Sequence, residues 1–282
     1  MYEDFIAGWV AGGTGLIVGH PLDTVKARLQ ALDGYKGIVD CVLKTLRNES
    51  IFGLYKGMLV PFLSTGATHS LLFAGYGAAL RYLHPGESNV ECRKDLPISD
   101  ILIASVCGTL TQVGPVIPVE LLKTKLQVQR ESMASTKSNV YHGPIDCAKQ
   151  IVRSEGIKGL FRGGSIIFCR DNVGYLFYIP VYESMIREFR KRGQEGVLTQ
   201  IVSGGTAGVC GWISICPLEV VKNRIQAAKE NENLKFKQVA QSIYQKDGIR
   251  GFFRGGLAMS VRGFVVNAVI FIAYENTIAL LT

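Results

Sequence analysis

The chain has 282 residues, of which 48% are hydrophobic, and a formal net charge of +8 at neutral pH. That charge would suit a nucleic-acid-binding protein, but the sequence has no basic stripe interleaved with base-reading residues, which argues against that class. Four stretches lack Asp, Glu, Lys and Arg altogether: 5–22, 57–80, 101–119 and 196–218. Each is long enough to cross a bilayer as a helix, and a helix satisfies its own backbone hydrogen bonds in hydrocarbon. The sequence therefore predicts an integral membrane protein.

The same order of elements occurs three times along the chain. The first unit has a long apolar helix over about 3–30, an amphipathic helix over 37–49 and a second long helix over about 58–83. The equivalent elements of the next two units span about 99–129, 144–154 and 165–190, and then 197–226, 236–246 and 257–281. We expect an all-α membrane protein of six transmembrane helices in three pseudo-threefold repeats, over 1–90, 91–193 and 194–282.

Two short strings recur in every unit and fix its alignment. Pro21 opens the string PLDTVKARLQ, which returns as PVELLKTKLQ at Pro118 and as PLEVVKNRIQ at Pro217. These prolines are 97 and 99 residues apart, and a fixed period of this kind is the signature of a repeat architecture. A second string, aromatic-[Lys/Arg]-Gly, ends at Gly57, Gly163 and Gly255. Because a proline inside a helix bends the chain, the first helix of each unit is predicted to bend towards the others at one membrane face.

The first string carries an acid and a base three residues apart. The three sets are Asp23 with Lys26, Glu120 with Lys123, and Glu219 with Lys222. One such pair on a helix surface is worth only about 0.2–0.5 kcal/mol. If the three units surround one axis, however, each acid reaches the base of the next helix, and the pairs close a ring across one mouth of a cavity. Gln30, Gln127 and Gln226 lie one turn further along, where they are predicted to hydrogen-bond across the ring.

The triplicated pattern P-x-[Asp/Glu]-x-x-[Lys/Arg] resembles the signature of the mitochondrial carrier family, over essentially the whole chain. The resemblance implies a monomeric transporter of the inner mitochondrial membrane, with both termini towards the intermembrane space. The ring and the short amphipathic helices would lie on the matrix side. The implied partners in this matrix gate are Asp23 with Lys123, Glu120 with Lys222, and Glu219 with Lys26.

The aromatic-[Lys/Arg]-Gly strings are similar to the family's cardiolipin-binding motif. The lipid-binding residues implied by this resemblance are Lys56 and Gly57, Arg162 and Gly163, and Arg254 and Gly255. The physical basis is that the first turn of a helix offers free backbone N–H groups and a positive dipole end to a phosphate.

Gap-free alignment of the second helices on the three glycines identifies the candidate substrate-binding positions. Seven residues after each glycine lie Ser64, Arg170 and Arg262, and Asp171 follows Arg170. They are about 10 Å into their helices, at 1.5 Å per residue. Charges at this depth are costly and by default line a wet transport pathway. The alternative is a purely structural Arg170–Asp171 pair. The substrate contact points of the family fall on these same aligned positions.

These central residues favour a small zwitterionic or quaternary-ammonium solute of the choline, carnitine or amino-acid type. Asp171 offers a site for an ammonium group, and Arg262 offers a fork for a carboxylate or phosphate. The aromatic residues that could face an ammonium group, or alternatively lipid, are Tyr175, Tyr178, Trp212 and Phe264. The chain also resembles the carnitine/acylcarnitine and basic amino-acid branch, in the subgroup of the mitochondrial choline carrier and a liver-enriched orphan carrier. The alternatives are a proton or anion leak and a nucleotide-type (NAD-like) solute.

The opposite mouth departs from the family pattern. Family members usually have an aromatic residue, an acid and, three residues later, a base near the end of each second helix. Here the base positions hold Leu80, Ile186 and Ile278. The candidate residues of the cytoplasmic gate are Tyr76, Tyr182, Glu183, Tyr274 and Glu275. We therefore expect a weak cytoplasmic gate, a resting state open to the cytosol, and net transport without obligatory exchange.

No enzymatic activity is expected. The four histidines lie in four different segments, and no nucleophile–base set or metal-ligand set emerges from the sequence. The seven cysteines show no metal-binding spacing and are interpreted as small buried hydrophobic residues. We therefore assign no catalytic residue, no metal site and no cofactor.

Overall fold

The computed structural model describes residues 2–86, 96–129, 140–194, 196–228, 232 and 234–281, with all of their side chains except those at 2–9, 197, 267, 268, 271, 274, 275, 278, 279 and 281. In chain order the helices are α1 (Tyr2–Ala31), α2 (Ile38–Glu49), α3 (Leu59–Leu83), α4 (Ile98–Val128), α5 (Pro144–Glu155), α6 (Gly164–Lys191), α7 (Val197–Ala227), α8 (Phe236–Asp247) and α9 (Gly256–Leu281). Each repeat thus has a long, a short and a second long helix. The predicted all-α architecture is confirmed.

The long helices form a closed bundle. α3 packs against α4, α6 packs against α7, and α9 packs against α1, so the last helix meets the first. Among the described residues, the segments 51–83, 98–128 and 198–227 are long and apolar enough to span a membrane. α1, α4 and α7 each continue past an internal proline, and these prolines precede the charged strings.

Each short helix buries its apolar face against the first helix of its own repeat. Cys41 of α2 and Cys147 of α5 are both completely buried, as is Ile243 of α8. Their neighbours in the core are Val25 and Leu29 of α1, Leu121 and Leu126 of α4, and Val220, Val221 and Ile225 of α7. Burying a side chain of the size of leucine or isoleucine stabilises the fold by about 1.5–3 kcal/mol. Three equivalent cores therefore fasten the ends of α1, α4 and α7 in matching positions.

Glycines in a left-handed conformation precede the second long helix of each repeat. Gly57, Gly163 and Gly255 have φ angles of 82°, 77° and 77°, which an L-residue adopts at a cost of about 1–2 kcal/mol. A Cβ atom at these glycines would lie only 3.1–3.5 Å from the Cγ of Gln127, Gln226 and Gln30, respectively. The start of each second helix therefore rests on the first helix of the next repeat.

The turn that follows the short helix differs between the repeats. Gly156 and Gly248 have φ angles of 72° and 61° at the ends of α5 and α8, whereas the same position after α2 is Ser50, with φ 57° and ψ −171°. This region of backbone space is almost restricted to glycine. The first repeat therefore carries local backbone strain that the other two avoid.

Candidate functional site: the charged ring and the central cavity

Three ion pairs between helices close one end of the bundle. Lys123 Nζ lies 2.8 Å from Asp23 Oδ2, Lys222 Nζ lies 2.6 Å from Glu120 Oε2, and Lys26 Nζ lies 2.9 Å from Glu219 Oε1. These six side chains are named the charged ring. α1, α4 and α7 each supply one acid and one base, and every pair joins two different repeats. The structure thus brings together the partners that the family resemblance implies.

Arg170 of α6 links the two glutamates of the charged ring. Its Nη1 donates to Glu120 Oε2 and to Glu219 Oε2, both at 3.0 Å, and its Nε donates to Asp171 Oδ1 at 2.8 Å. A buried guanidinium needs carboxylate partners because removing a charge from water costs several kcal/mol. The alternative of a purely local Arg170–Asp171 pair does not describe Arg170 fully, because the arginine also contacts the charged ring.

The other two central positions differ from Arg170. The guanidinium of Arg262 in α9 forms an ion pair with Asp23. Ser64 of α3, the equivalent residue of the first repeat, donates to the carbonyl oxygen of Val60 in its own helix at 2.8 Å. Arginines from two repeats therefore brace the ring, while the first repeat supplies only a hydroxyl. In this described cluster, which includes Asp171, five basic side chains meet four carboxylates, leaving one positive charge in excess.

The three predicted glutamines form a second layer beyond the charged ring. Gln30 Oε1 accepts from Asn223 Nδ2 at 2.6 Å, Gln127 Nε2 donates to Thr24 Oγ1 at 3.3 Å, and Gln226 Oε1 accepts from Thr124 Oγ1 at 3.1 Å. All three glutamines are buried, and each bonds to the neighbouring first helix. The sequence predicts that the glutamines, one turn further along than the lysines, hydrogen-bond across the ring. In the structure their partners directly follow ring residues, since Thr24 follows Asp23, Thr124 follows Lys123 and Asn223 follows Lys222.

A cavity of about 660 Å³ lies on the other side of the charged ring. Its ring end is formed by Glu120, Lys123, Arg170 and Asp171, and Ser64 faces the same space. A cavity of this size with a few convergent charges has the usual form of a small-molecule site. Arg262 instead lines a smaller cavity of about 230 Å³ at the level of the ring.

Three of the four candidate aromatic residues line the large cavity, namely Tyr175, Tyr178 and Trp212. Trp212 also faces the ring, since Lys26 Nζ lies 5.6 Å from the centroid of its indole. The fourth residue, Phe264, is 80% exposed on the outside of the bundle. Phe264 follows Arg262 by two residues, which places it on the opposite side of the helix. Of the two alternatives for Phe264, the structure favours contact with lipid.

At the opposite mouth, the gate candidate Glu183 pairs within its own helix. Glu183 and Arg187 of α6 lie one turn apart, with Oε2 and Nε separated by 3.0 Å. Arg187 also donates to the carbonyl oxygen of Leu96 at 2.5 Å. Tyr182 stacks on Tyr178, with ring centroids 5.8 Å apart. The side chains of Tyr274 and Glu275 lie outside the described residues.

Leu80 occupies one of the positions where the family usually has a base. Its side chain is completely buried between α3 and α4, together with Leu96 and Ala104, and Tyr76 packs against this cluster. The residue that replaces a gate base therefore serves helix packing.

A family model for mitochondrial carrier proteins matches this chain three times, over residues 1–87, 94–193 and 193–282. The chain belongs to the mitochondrial carrier family. It is a solute transporter and not an enzyme, and carriers of this family sit in the inner mitochondrial membrane.

Similar proteins align with the carrier over almost its whole length. Solute carrier family 25 member 45 of Mus musculus is 39% identical over 99% of this chain and 98% of its own length. Member 48 of Bos taurus is 38% identical, over 97% and 93%, and member 47-B of Danio rerio is 34% identical, over 99% and 98%. The predicted family is confirmed.

The predicted lipid-binding bases of the carrier are all engaged in ion pairs. Lys56 Nζ lies 2.8 Å from Glu49 Oε2, Arg162 pairs with Glu155, and Arg254 Nη1 lies 3.4 Å from Asp33 Oδ1. These contacts join the turn before α3, α6 or α9 to a short helix or to the end of α1. Their charge is thus compensated within the protein.

Glu49 has an enclosed ion pair outside the membrane-spanning helices. Arg28 donates to both of its carboxylate oxygens, at 2.9 and 2.7 Å. Burial would raise the pKa of Glu49, but hydrogen bonds from Arg28 and Lys56 outweigh that effect and lower the pKa below its usual value. At the surface, a hydrogen bond from Lys246 lowers the pKa of Asp33.

The sequence does not single out several polar residues of the cavity, which are Thr65, Thr68, His69 and Gln112. The alignment of the second helices could have identified one of these residues. His69 lies twelve residues after Gly57, as Tyr175 lies twelve residues after Gly163, so both hold the same position in their repeats. Gln112 lies on a first helix, which the alignment of second helices does not reach.

Proposed function

We propose that the carrier moves a small zwitterionic or quaternary-ammonium metabolite by alternating access. The observation that carries this proposal is the composition of the 660 Å³ cavity, which is lined by Asp171, Arg170 and three aromatic residues. A carboxylate and aromatic faces suit an ammonium group, and guanidinium groups suit a carboxylate. Solutes of the choline, carnitine or amino-acid type carry one or both of these groups.

The charge balance favours a zwitterion over a bare cation. The charged ring and the central positions hold five bases and four carboxylates. A zwitterion has no net charge and leaves the excess at one positive charge, whereas a bare cation raises it to two. For the same reason a carnitine-like or amino-acid-like solute fits better than choline. A nucleotide with several phosphates would give the occupied site a net negative charge.

The charged ring serves as the gate on the matrix side. Opening requires its three ion pairs to separate, and a pair that is too strong would not allow the carrier to cycle. A solute carboxylate competes with Glu120 and Glu219 for Arg170, and with Asp23 for Arg262, which lowers the cost of opening. With both termini towards the intermembrane space, the present conformation is the one that receives solute from the cytosolic side.

The function is tested by uptake into proteoliposomes of radiolabelled carnitine, glycine betaine, choline, lysine and NAD. Arg262→Ala and Asp171→Asn are each expected to raise KM for the transported solute at least tenfold, because each removes a charged partner. Arg192→Ala is the matched control, since Arg192 lies at the exposed end of α6 and pairs only with Glu188 among the described residues. Unchanged uptake in both central variants would show that the site is elsewhere. Membrane current without saturable uptake would favour a leak instead.

The residues at the mouth opposite the charged ring favour net transport over obligatory exchange. Leu80 and Ile186 take the places of two gate bases, and Glu183 is engaged with Arg187 in its own helix. We expect liposomes without internal solute to accumulate substrate nearly as fast as preloaded ones. An absolute requirement for internal solute would show that the carrier is an exchanger.

Cardiolipin is the proposed lipid partner of the monomer. A groove of about 620 Å³ runs between the starts of α3 and α5 and is lined mainly by apolar side chains, including Leu59, Leu63 and Ile145. The groove suits acyl chains, and the adjoining backbone N–H groups suit phosphate. Cardiolipin added to the delipidated carrier is expected to raise the midpoint of thermal unfolding, while phosphatidylcholine at the same phosphate concentration leaves it unchanged. Equal effects of the two lipids would refute specific binding.

A further inference from the structure

Trp212 lies between the central cavity and the charged ring. Its side chain lines both the 660 Å³ cavity and the 230 Å³ cavity at the level of the ring. It packs against the buried cluster of Ile215, Cys216 and Met259. On α9, Gly263 lies next to the indole, since a Cβ atom there would be in ordinary van der Waals contact with Trp212 Nε1, at 3.5 Å. Trp212 is therefore held between α7 and α9, in contact with both functional spaces.

Within the part of the chain that the structure describes, Lys26 is the only base of the charged ring placed over an aromatic face. Its Nζ lies 5.6 Å from the indole centroid of Trp212, within the range of a cation–π contact, and 2.9 Å from Glu219 Oε1. Trp212 is five residues before its repeat proline, and the same position is Leu16 in the first repeat and Val113 in the second. The tryptophan thus breaks the threefold pattern at one corner of the ring, where α1 meets α7.

We propose that Trp212 couples solute binding to the opening of the charged ring. In the closed ring its indole face holds the ammonium group of Lys26, and the ammonium group of a solute in the cavity takes the same face. Two cations do not share one indole face, so the solute leaves Lys26 with a single contact to Glu219 and weakens that pair. The inference rests on the proposed function, in that the solute carries an ammonium group.

A double-mutant cycle tests the contact without any solute. Trp212→Leu installs the side chain of the first repeat, and Lys26→Met removes the ammonium group while keeping most of the side-chain length. The two substitutions are expected to be non-additive by about 2- to 30-fold in the unfolding equilibrium constant of the full-length carrier, the range of a cation–π contact. The matched cycle uses Leu16→Ala and Lys123→Met, and is expected to be additive within about twofold.

Additive effects in the Trp212 and Lys26 cycle would overturn the proposal. If Trp212→Leu does not fold, Trp212→Phe replaces it, because phenylalanine keeps a weaker aromatic face and is expected to give a smaller coupling of the same sign. If the coupling measured with Trp212→Phe equals that of the control cycle with Leu16→Ala, the proposal is likewise overturned.

Ligand binding tests the competition. The probes are glycine betaine and 3,3-dimethylbutanoate, which has the same shape and carboxylate but a carbon atom in place of the ammonium nitrogen. Lys26→Met is expected to tighten betaine binding about 2- to 30-fold, because the competing cation is gone, and to leave the dimethylbutanoate affinity nearly unchanged. Lys123→Met removes the same charge from the ring without vacating the indole, so its effect on betaine should be clearly smaller. Trp212→Leu should weaken betaine binding alone.

The outcomes separate this inference from the proposed function. Equal effects of Lys26→Met and Lys123→Met on betaine would overturn the competition while leaving an ammonium-type solute in place. Failure of betaine and of every other ammonium solute to bind the unmodified carrier would overturn both the solute class and the competition. In that case the contact between Lys26 and Trp212 would still be decided by the double-mutant cycle.

Discussion

At the ring end of the bundle, the acid and the base of each pair come from different helices, whereas at the mouth Glu183 and Arg187 lie on the same helix. The environments also differ. The side chains of Glu219 and Lys26 are 5% and 13% exposed, and those of Glu183 and Arg187 are 20% and 32% exposed. A pair between buried groups of two helices resists their separation, while a half-exposed pair within one helix does not. Charge therefore closes one end of this carrier.

The difference shows how a threefold repeat can specialise. Both ends draw on equivalent positions of three repeats, but leucine and isoleucine stand at the mouth where the family resemblance implies bases, and Leu80 contributes to packing between α3 and α4. At the ring end, Arg170 and Arg262 of the second helices form ion pairs with the acids of the ring. The strength of each end thus depends on a few residues, and substitutions at them test the comparison directly.

The largest effect is expected for Glu219→Gln. Glu219 accepts from Lys26, Lys222 and Arg170, so its loss leaves buried cations short of a partner. The free energy of unfolding is expected to fall by about 3–5 kcal/mol, with loss of most transport. Thermal unfolding and uptake measure the two effects. Glu183→Gln is the control at the mouth and should cost less than about 0.5 kcal/mol. Similar losses from the two substitutions would contradict the comparison.

Glu49 tests the ring end from outside the membrane. Its folded-state pKa lies below the ordinary value of 4.5, so it contributes stability that is fully present above pH 4.5 and is lost as the pH falls through the folded-state pKa. Glu49→Gln leaves Arg28 without its bidentate partner and should lower stability by about 3 kcal/mol at neutral pH. The decline of stability in acid should also become shallower.

The control for this prediction lies on the same short helix. Asp40 is only partly buried, and its hydrogen bond from Lys44 lowers its pKa as well. Asp40→Asn should change thermal stability far less than Glu49→Gln at pH 7. If the unmodified carrier and Glu49→Gln lost stability in parallel below pH 4.5, the assignment of acid sensitivity to Glu49 would be wrong.

Ser64→Arg is expected to strengthen the end that is already closed. Ser64 holds the position of Arg170 and Arg262 in the first repeat, and an arginine there would supply a third brace. A further ion pair worth about 1.4 kcal/mol in the closed state would slow turnover about tenfold and raise thermal stability. Ser64→Ala is the control, because it removes the hydroxyl without adding charge. Faster transport by Ser64→Arg would argue against a brace role for the central arginines.

The smallest expected effect concerns the backbone at Ser50. Ser50→Gly should raise the free energy of unfolding by about 1 kcal/mol, because glycine adopts this backbone region without strain. Gly156→Ser, at the equivalent place in the second repeat, should lower it by a similar amount. Both are measured by thermal unfolding, and transport should be unchanged. A destabilised Ser50→Gly variant would show that the serine side chain contributes more than the strain costs.

Periodicity made the architecture and the composition of the ring readable from sequence. Three equivalent acid–base strings on three equivalent helices predict a ring of pairs between helices, and the family resemblance implies which acid meets which base. The left-handed glycines at 57, 163 and 255 give a gap-free alignment of the second helices. The repeat pattern does not predict the contacts that differ between repeats. Whether Arg170 reaches Glu120 and Glu219, or whether Trp212 reaches Lys26, depends on side-chain distances between helices that repetition alone does not set.

The close contact of Gly57, Gly163 and Gly255 with the glutamine layer has a mechanical consequence. Each of these glycines belongs to one repeat and touches a glutamine of the next, so the three contacts form a cycle around the axis. A repeat that tilts towards the next presses its second helix against the adjoining first helix, because van der Waals contact leaves little space between the glycine and the glutamine. We therefore expect movement at one ion pair to be transmitted to the other two, so that this end of the bundle opens as one concerted movement.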